Sequence, residues 1–253
     1  MKKLVFLFLI TSFLSCKTDD RNEVLVLGLI HGSHLTQQEF STDVLRDMVK
    51  KIDPDVILAE IPPDRFEKAM STYAETGIVN ESRVARFPEY IDVIIPLTKE
   101  MDFVLVPTAA WTEEMANARL EKMREIRDDP DRAYDWQLYG LARQKADSIK
   151  KASGREFDPY WINSDAYDNA SEVALSIYND LFNEELGLGG WDNINKAHYA
   201  YIEKALDEYA NQGKRIVITY GAGHKGWFLR ELKKRNDIKL IGLKEAMGLQ
   251  PSQ

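Results

Sequence analysis

At 253 residues, with 44% hydrophobic and 29% charged side chains, the chain is long enough to bury a substantial core and too well mixed to be a low-complexity or disordered polymer. A formal net charge of −8 argues against nucleic acid or anionic lipid as the main partner. One cysteine, Cys16, leaves neither an internal disulfide nor a thiolate metal site to build.

Residues 1–15 read as a leader rather than as fold. Lys2 and Lys3 form a basic start, and Leu4 to Leu14 form an apolar run too short to cross a bilayer as a helix. The run closes on Phe13-Leu14-Ser15-Cys16, which resembles a bacterial lipobox, so Cys16 is expected to carry a lipid and become the mature N-terminus. The alternative is an ordinary cleaved signal peptide with a chance cysteine. Residues 16–22 read as a polar tether, and residues 23–253 as the folded domain. Together these features place the chain at the bacterial cell envelope, lipid-anchored.

From Glu23 strand and helix patterns alternate. Glu23 to Leu29 is a run of mainly branched apolar residues followed by His31-Gly32-Ser33-His34. Thr36 and Glu39 have capping-box spacing, which predicts a helix from near Gln37 with Phe40, Val44, Met48 and Ile52 on one face. Asp53-Pro54-Asp55 should stop it, and Val56 to Ile61 reads as a buried strand ending beside Glu60. Strand, helix and strand at this spacing predict parallel strands with a right-handed crossover, neighbours or near-neighbours in the sheet.

Asp64 is expected to cap a short helix carrying Arg65, Phe66 and Met70, with a break at Thr76-Gly77. Pro88 fits the first turn of a further helix that Pro96 should bend or end. Phe103 to Pro107 is a third strand, and Thr112 should cap the next helix. Residues 128–187 then look helical throughout, as scaffold packed on the sheet or as a lid over a site. A helix from about Asn193 to Asn211, with Gly213 at its C-terminal cap position, leads to a strand from Ile216 to Tyr220. A helix from about Lys225 to Lys234 and a strand from Lys239 to Leu243 complete the chain. The expected fold is α/β: a largely parallel central sheet flanked by helices, with a helical insertion at about residues 112–212.

In such a sheet, ligands bind beyond the carboxyl ends of the strands. His31, Glu60 and His224 all fall at that edge, and His31 and His224 each close a G-x-x-H run, Gly28 to His31 and Gly221 to His224. Two imidazoles and a carboxylate suit a divalent ion such as Zn²⁺, Mn²⁺ or Fe²⁺ with positions left open. Gly28, Gly221 and Gly223 would let the backbone turn and approach a ligand. Around this trio, His34 is a ligand or supporting group, Arg65 and Asp64 orient or bind a carboxylate, and Tyr220 and Ser33 are donors to an oxyanion. Glu60 paired with Arg65 on the surface would be the plainer reading. His198 reads as a helix-surface or packing residue, while Trp111 and Trp227 lie where they would line a pocket.

Three stretches resemble the TraB/GumN/Tiki group within the erythromycin-esterase-like and ChaN-like superfamily: Gly28 to His34, Val56 to Arg65, and Val217 to Gly226. They look like that group's opening G-x-x-H strand, its strand-end Glu followed by Arg, and its closing G-x-G-H strand, and they bracket nearly the whole mature chain. Where the group often has an arginine on the helix before the last motif, Asn193-Ile194-Asn195-Lys196 stands here. Lys196 keeps the charge without the bidentate fork that recognises a planar anion. The resemblance implies an α/β fold and a metal-dependent, protease-like activity with His31, Glu60 and His224 as the functional set and Mn, Co or Zn as the cofactor.

Two functions follow as expectations. One is a metal-dependent hydrolase of the envelope acting on a peptide or other small ligand, with Glu60 as metal ligand or general base. The other is a non-catalytic envelope lipoprotein that captures a peptide or haem, for which His198 or Tyr220 would supply an axial ligand.

Overall fold

The apolar run Asn22–Leu29 forms the first strand, β1, in the computed structural model, which describes residues 19–249. The expectations for the leader and Cys16 lie outside those residues. Four more strands follow: β2 (Val56–Ala59), β3 (Val104–Pro107), β4 (Arg215–Gly221) and β5 (Ile238–Leu240). All pair in parallel, in the order β3-β2-β4-β1-β5. The last long strand is thus inserted between the first two. Its register sets Leu29 against Gly221 and Ala59 against Thr219, so the three carboxyl ends lie side by side.

Side-chain alternation divides the core into two layers. Leu25, Leu27, Leu29, Ile57, Ala59 and Val217 pack on one face of the sheet; Val24, Val26, Val56, Leu58, Ile216, Ile218 and Tyr220 pack on the other. Helices cover both faces, which is why these strands read as continuous apolar runs. Asn22 belongs to β1 rather than to the tether. It is buried, its Nδ2 donating to the Tyr209 carbonyl at 2.7 Å and its Oδ1 accepting from the Lys214 N–H at 2.8 Å.

Helix α1 spans Thr42–Ile52 and is capped by Ser41, not by the Thr36–Glu39 pair. His34 explains the displacement. Its Nδ1 bonds the Phe40 carbonyl at 2.6 Å and its Nε2 accepts from the Ile30 N–H at 3.2 Å, winding the chain into short 3₁₀ turns over His31–Leu35 and Gln38–Phe40. Asp53, at φ +51°, ends α1. Helix α2 (Pro63–Thr76) is longer than expected and starts on Pro63, with Asp64 in its first turn rather than at the cap; Gly77, at φ +74°, closes it. After Pro88 the chain makes a π-turn over Glu89–Ile94 that runs into α3 (Ile95–Leu97). In that widened turn the Ile95 N–H reaches back to the Tyr90 carbonyl, and the helix passes through Pro96 to end at Leu97.

Thr112 caps α4 (Glu113–Asp128), as its position predicts. The insertion continues through α5 (Ala133–Ala152), α6 (Pro159–Ile162), α7 (Asp165–Phe182) and α8 (Trp191–Glu208). Tyr209 takes the C-cap of α8, while Gly213, at φ +63°, turns the chain into β4. Helix α9 (Ala222–Leu232) begins three residues earlier than predicted, so His224 lies in a helical first turn rather than at a strand end. The final strand is only Ile238–Leu240, and Leu243 opens α10 (Leu243–Ala246).

Candidate functional site

Glu60 follows directly on β2, and its carboxylate meets the end of the neighbouring strand β4. Oε2 accepts the Gly221 N–H at 2.8 Å and stands 4.0 Å from His31 Nε2; Oε1 stands 4.0 Å from His224 Nε2. The sheet therefore does bring His31, Glu60 and His224 together. Glu60 is 7% exposed, and burial raises its pKa above the ordinary carboxylate value. The Glu60 N–H is held by the Tyr90 hydroxyl at 2.7 Å, which in turn donates to the Thr219 carbonyl at 2.8 Å.

His31 adopts φ +50°, a left-handed conformation uncommon for a side chain other than glycine, which aims its ring across the strand ends. Its Nδ1 donates to Glu89 Oε1 at 2.6 Å, and its ring meets Phe87 edge-on. Burial works to lower the pKa of His31. The Glu89 hydrogen bond, with the charges of Glu60 and Glu89, outweighs it and carries the imidazole above its usual value. Gly221 leaves room for this ring, because a Cβ there would lie 2.4 Å from His31 Nε2. Gly223 has no such need: a Cβ at that position would make only an ordinary contact, 3.6 Å from Trp191.

His224 is held from the other side. Asn195 Nδ2 donates to the Trp191 carbonyl at 2.7 Å, which turns its Oδ1 toward His224 Nδ1, also at 2.7 Å. His224 therefore carries its proton on Nδ1 and presents the Nε2 lone pair to Glu60. Burial, with the nearby charge of His31, lowers the His224 pKa to about 3, so the ring is neutral. It stacks between Trp191 and Phe228.

A cavity of about 480 Å³ opens over His31, Ser33 and His224 and is walled by Lys150, Tyr167 and Trp191 from the insertion. The insertion thus covers the site as well as packing on the sheet.

The other expected residues have different places. His34 is buried in its loop, with both ring nitrogens engaged. Tyr220 is close to the trio but buried, its ring 5.8 Å from that of His224 and its hydroxyl 3.0 Å from Thr108 Oγ1. Arg65 is occupied by Asp64, Glu81 and Glu113 and makes no pair with Glu60. Lys196 pairs with Asp192 at the surface. Trp227 is buried and donates to Asp192 Oδ1 at 2.8 Å.

Sequence reasoning missed Glu89, Asn195, Tyr90 and Trp191. It read His198 as a packing residue or a haem ligand, not as a neighbour of His224. His198 is fully buried; its Nδ1 accepts the Ala110 N–H at 2.9 Å, and its ring lies 5.5 Å from that of His224. Asn195 and His198 are three residues apart on α8, a spacing that puts them on one helix face.

In kind, the donor set fits a divalent cation. A neutral imidazole lone pair and a carboxylate face each other at His224 and Glu60, and both histidines have Nδ1 oriented by a side-chain oxygen, the usual support for a ligating ring. The spacing is wider than a closed coordination shell: among the described residues no group of three His, Cys, Asp or Glu side chains is close enough to hold an ion as it stands.

No family model, curated protein or solved structure matches this chain. The site's chemistry is therefore argued from its own geometry. For haem, the two residues expected as axial ligands, His198 and Tyr220, are both buried in the packing.

Proposed function

We propose that the chain is a hydrolase of the cell envelope, peptidase-like and metal-dependent, with its reaction centre at His31, Glu60 and His224. The observation that carries this reading is the Glu60 carboxylate suspended between two imidazole Nε2 atoms, each 4.0 Å away, beneath a cavity. The order of the G-x-x-H, Glu and G-x-G-H motifs, similar to the TraB/GumN/Tiki group, supports it.

Glu60, made more basic by burial, takes the proton of an attacking water placed between it and His224. His31, its Nδ1–H held by Glu89, turns its Nε2 toward the same point from the other side, and Glu60 passes the proton it has taken to the departing group. His224 stays neutral and orients the water through its Nε2 lone pair. A divalent ion such as Mn, Co or Zn, held by His31 Nε2, His224 Nε2 and Glu60, would polarise the scissile carbonyl and acidify the water. Trp191, Tyr167 and the other walls of the cavity seat the ligand.

The test is transition-metal content and peptide hydrolysis by the purified chain and by His31→Ala, Glu60→Ala and His224→Ala. Each variant should lose both while melting as a folded protein. Wild-type metal content in His224→Ala, or collapse of folding in all three, would show that the trio only orders the sheet edge.

A further inference from the structure

Arg65 was the arginine expected to meet a substrate carboxylate, yet three carboxylates of the chain itself already engage it. Arg83 is different. It precedes a short 3₁₀ turn, Val84–Arg86, and is half-buried with its guanidinium 5.9 Å from the centre of the Trp111 ring. Among the described residues no carboxylate comes within ion-pairing distance of it, while its charge reaches Glu60. A guanidinium drawn partly out of water without a carboxylate partner is costly unless a ligand completes it.

Two cavities meet at this residue. One, of about 300 Å³, is lined by Arg83, Arg86, Ser82 and Asn117. The other, of about 200 Å³, is lined by Arg83, Trp111, Ala116, Leu120 and Arg119, whose guanidinium is held by the Tyr178 hydroxyl at 2.8 Å. Arg83, Ala116 and Leu120 belong to both, so Arg83 stands where a donor-rich pocket joins one walled by an indole and by Leu120 and Ala116. Glu113 also borders the polar cavity, but Arg65 holds its carboxylate at 3.0 Å. In a chain of net charge −8, this gathering of arginines runs against the prevailing sign.

We infer that Arg83 and Trp111 form a binding site for a carboxylate carried next to an apolar or aromatic group, as at the C-terminal residue of a peptide. The guanidinium fork matches the planar carboxylate, and the indole with Leu120 and Ala116 receives the apolar side chain. This deepens the peptidase reading by naming a substrate class, but the binding it describes does not depend on turnover.

Calorimetry on the full chain in mild detergent tests it, with N-acetylphenylalanine, its C-terminal amide and inorganic phosphate as probes. The acid should bind at least about tenfold more tightly than the amide. Arg83→Gln should erase that preference, Arg83→Lys should keep part of it without the fork, and Trp111→Ala should weaken acid and amide alike. His31→Ala, which removes the proposed chemistry, should leave the preference intact, so failure of the hydrolase reading is distinguishable from failure of this one. Melting curves of the two Arg83 variants report on folding. Equal binding of acid and amide, a preference that survives Arg83→Gln, phosphate binding as tight as the acid, or no binding by any probe would each overturn the assignment.

Discussion

Asn195 fixes which nitrogen of His224 carries the proton. Its own amide is oriented by the Trp191 carbonyl, so only its oxygen is turned toward His224 Nδ1, 2.7 Å away. A residue that never touches Glu60 thereby decides what His224 shows to Glu60. Asn195→Leu should free the ring to flip or change tautomer. The expected outcome is a loss of about 10–100-fold in metal affinity or hydrolysis, the usual effect of removing a supporting hydrogen bond at such a site. Asn195→Asp, which keeps an acceptor, should recover part of it. Metal content and single-turnover hydrolysis measure both; unchanged values in Asn195→Leu would remove Asn195 from the site.

Gly221 gives a sharper steric test. A methyl group there would overlap His31 Nε2, while the Gly221 N–H must stay in place to bind Glu60 Oε2. Gly221→Ala should push the His31 ring off Glu89 and abolish activity. Overpacking predicts a stability loss of about 1–3 kcal/mol. Denaturant unfolding together with the imidazole NMR signals of His31 would show the two effects, and Gly223→Ala, where a Cβ has room, is the control.

Stability should fall with acid through His198 and His224. Burial lowers both pKa values, for His198 well below 6.5 and for His224 to about 3. The unfolded chain protonates near 6.5 and the folded chain does not, so this contribution is present above pH 6.5 and is lost as pH falls toward the folded pKa values. Each such histidine gives a slope of up to about 1.4 kcal/mol per pH unit. His31, with its pKa raised, acts in the opposite sense: its contribution is full below 6.5 and is lost as pH rises. His198→Asn should flatten the wild-type slope of unfolding free energy between pH 7 and pH 5.5, measured by urea titration. An unaltered slope would mean that His198 titrates in the folded protein.

The envelope assignment has its own check. Cys16→Ser should move the protein from the membrane fraction to the soluble fraction in a detergent-phase partition. If the serine variant partitions like wild type, the lipid anchor is not at Cys16.

The sheet was legible because both faces of every central strand are covered, which makes Val24 to Leu29, Val56 to Ala59 and Ile216 to Tyr220 almost wholly apolar runs. Parallel direction then put Glu60 and the two histidine motifs at one edge. The supporting residues were hidden by distance in sequence. Glu89 lies 58 residues from His31, and Asn195 lies 29 from His224. Local rules misled where a tertiary contact outweighed them: the Thr36–Glu39 spacing is that of a capping box, but the two hydrogen bonds of His34 wind that segment another way. Similarly, the G-x-x-H at Gly221 looked like the end of a strand because its first residue is one, although the helix has already begun at Ala222.

Because β4 separates β2 from β1, the amino-terminal strands have no direct pairing with each other. β1, β2 and β3 all precede Arg215 in the chain, so a partly folded chain can hold these strands before the one that joins them is in place. Until then β1 and β2 each keep an unsatisfied hydrogen-bonding edge flanked by apolar side chains, the kind of edge that recruits strands from other molecules. The partly folded chain is therefore most open to strand exchange before residues 215–221 join its two halves, and the same pairing delivers the Gly221 N–H to Glu60 and draws His224 toward it.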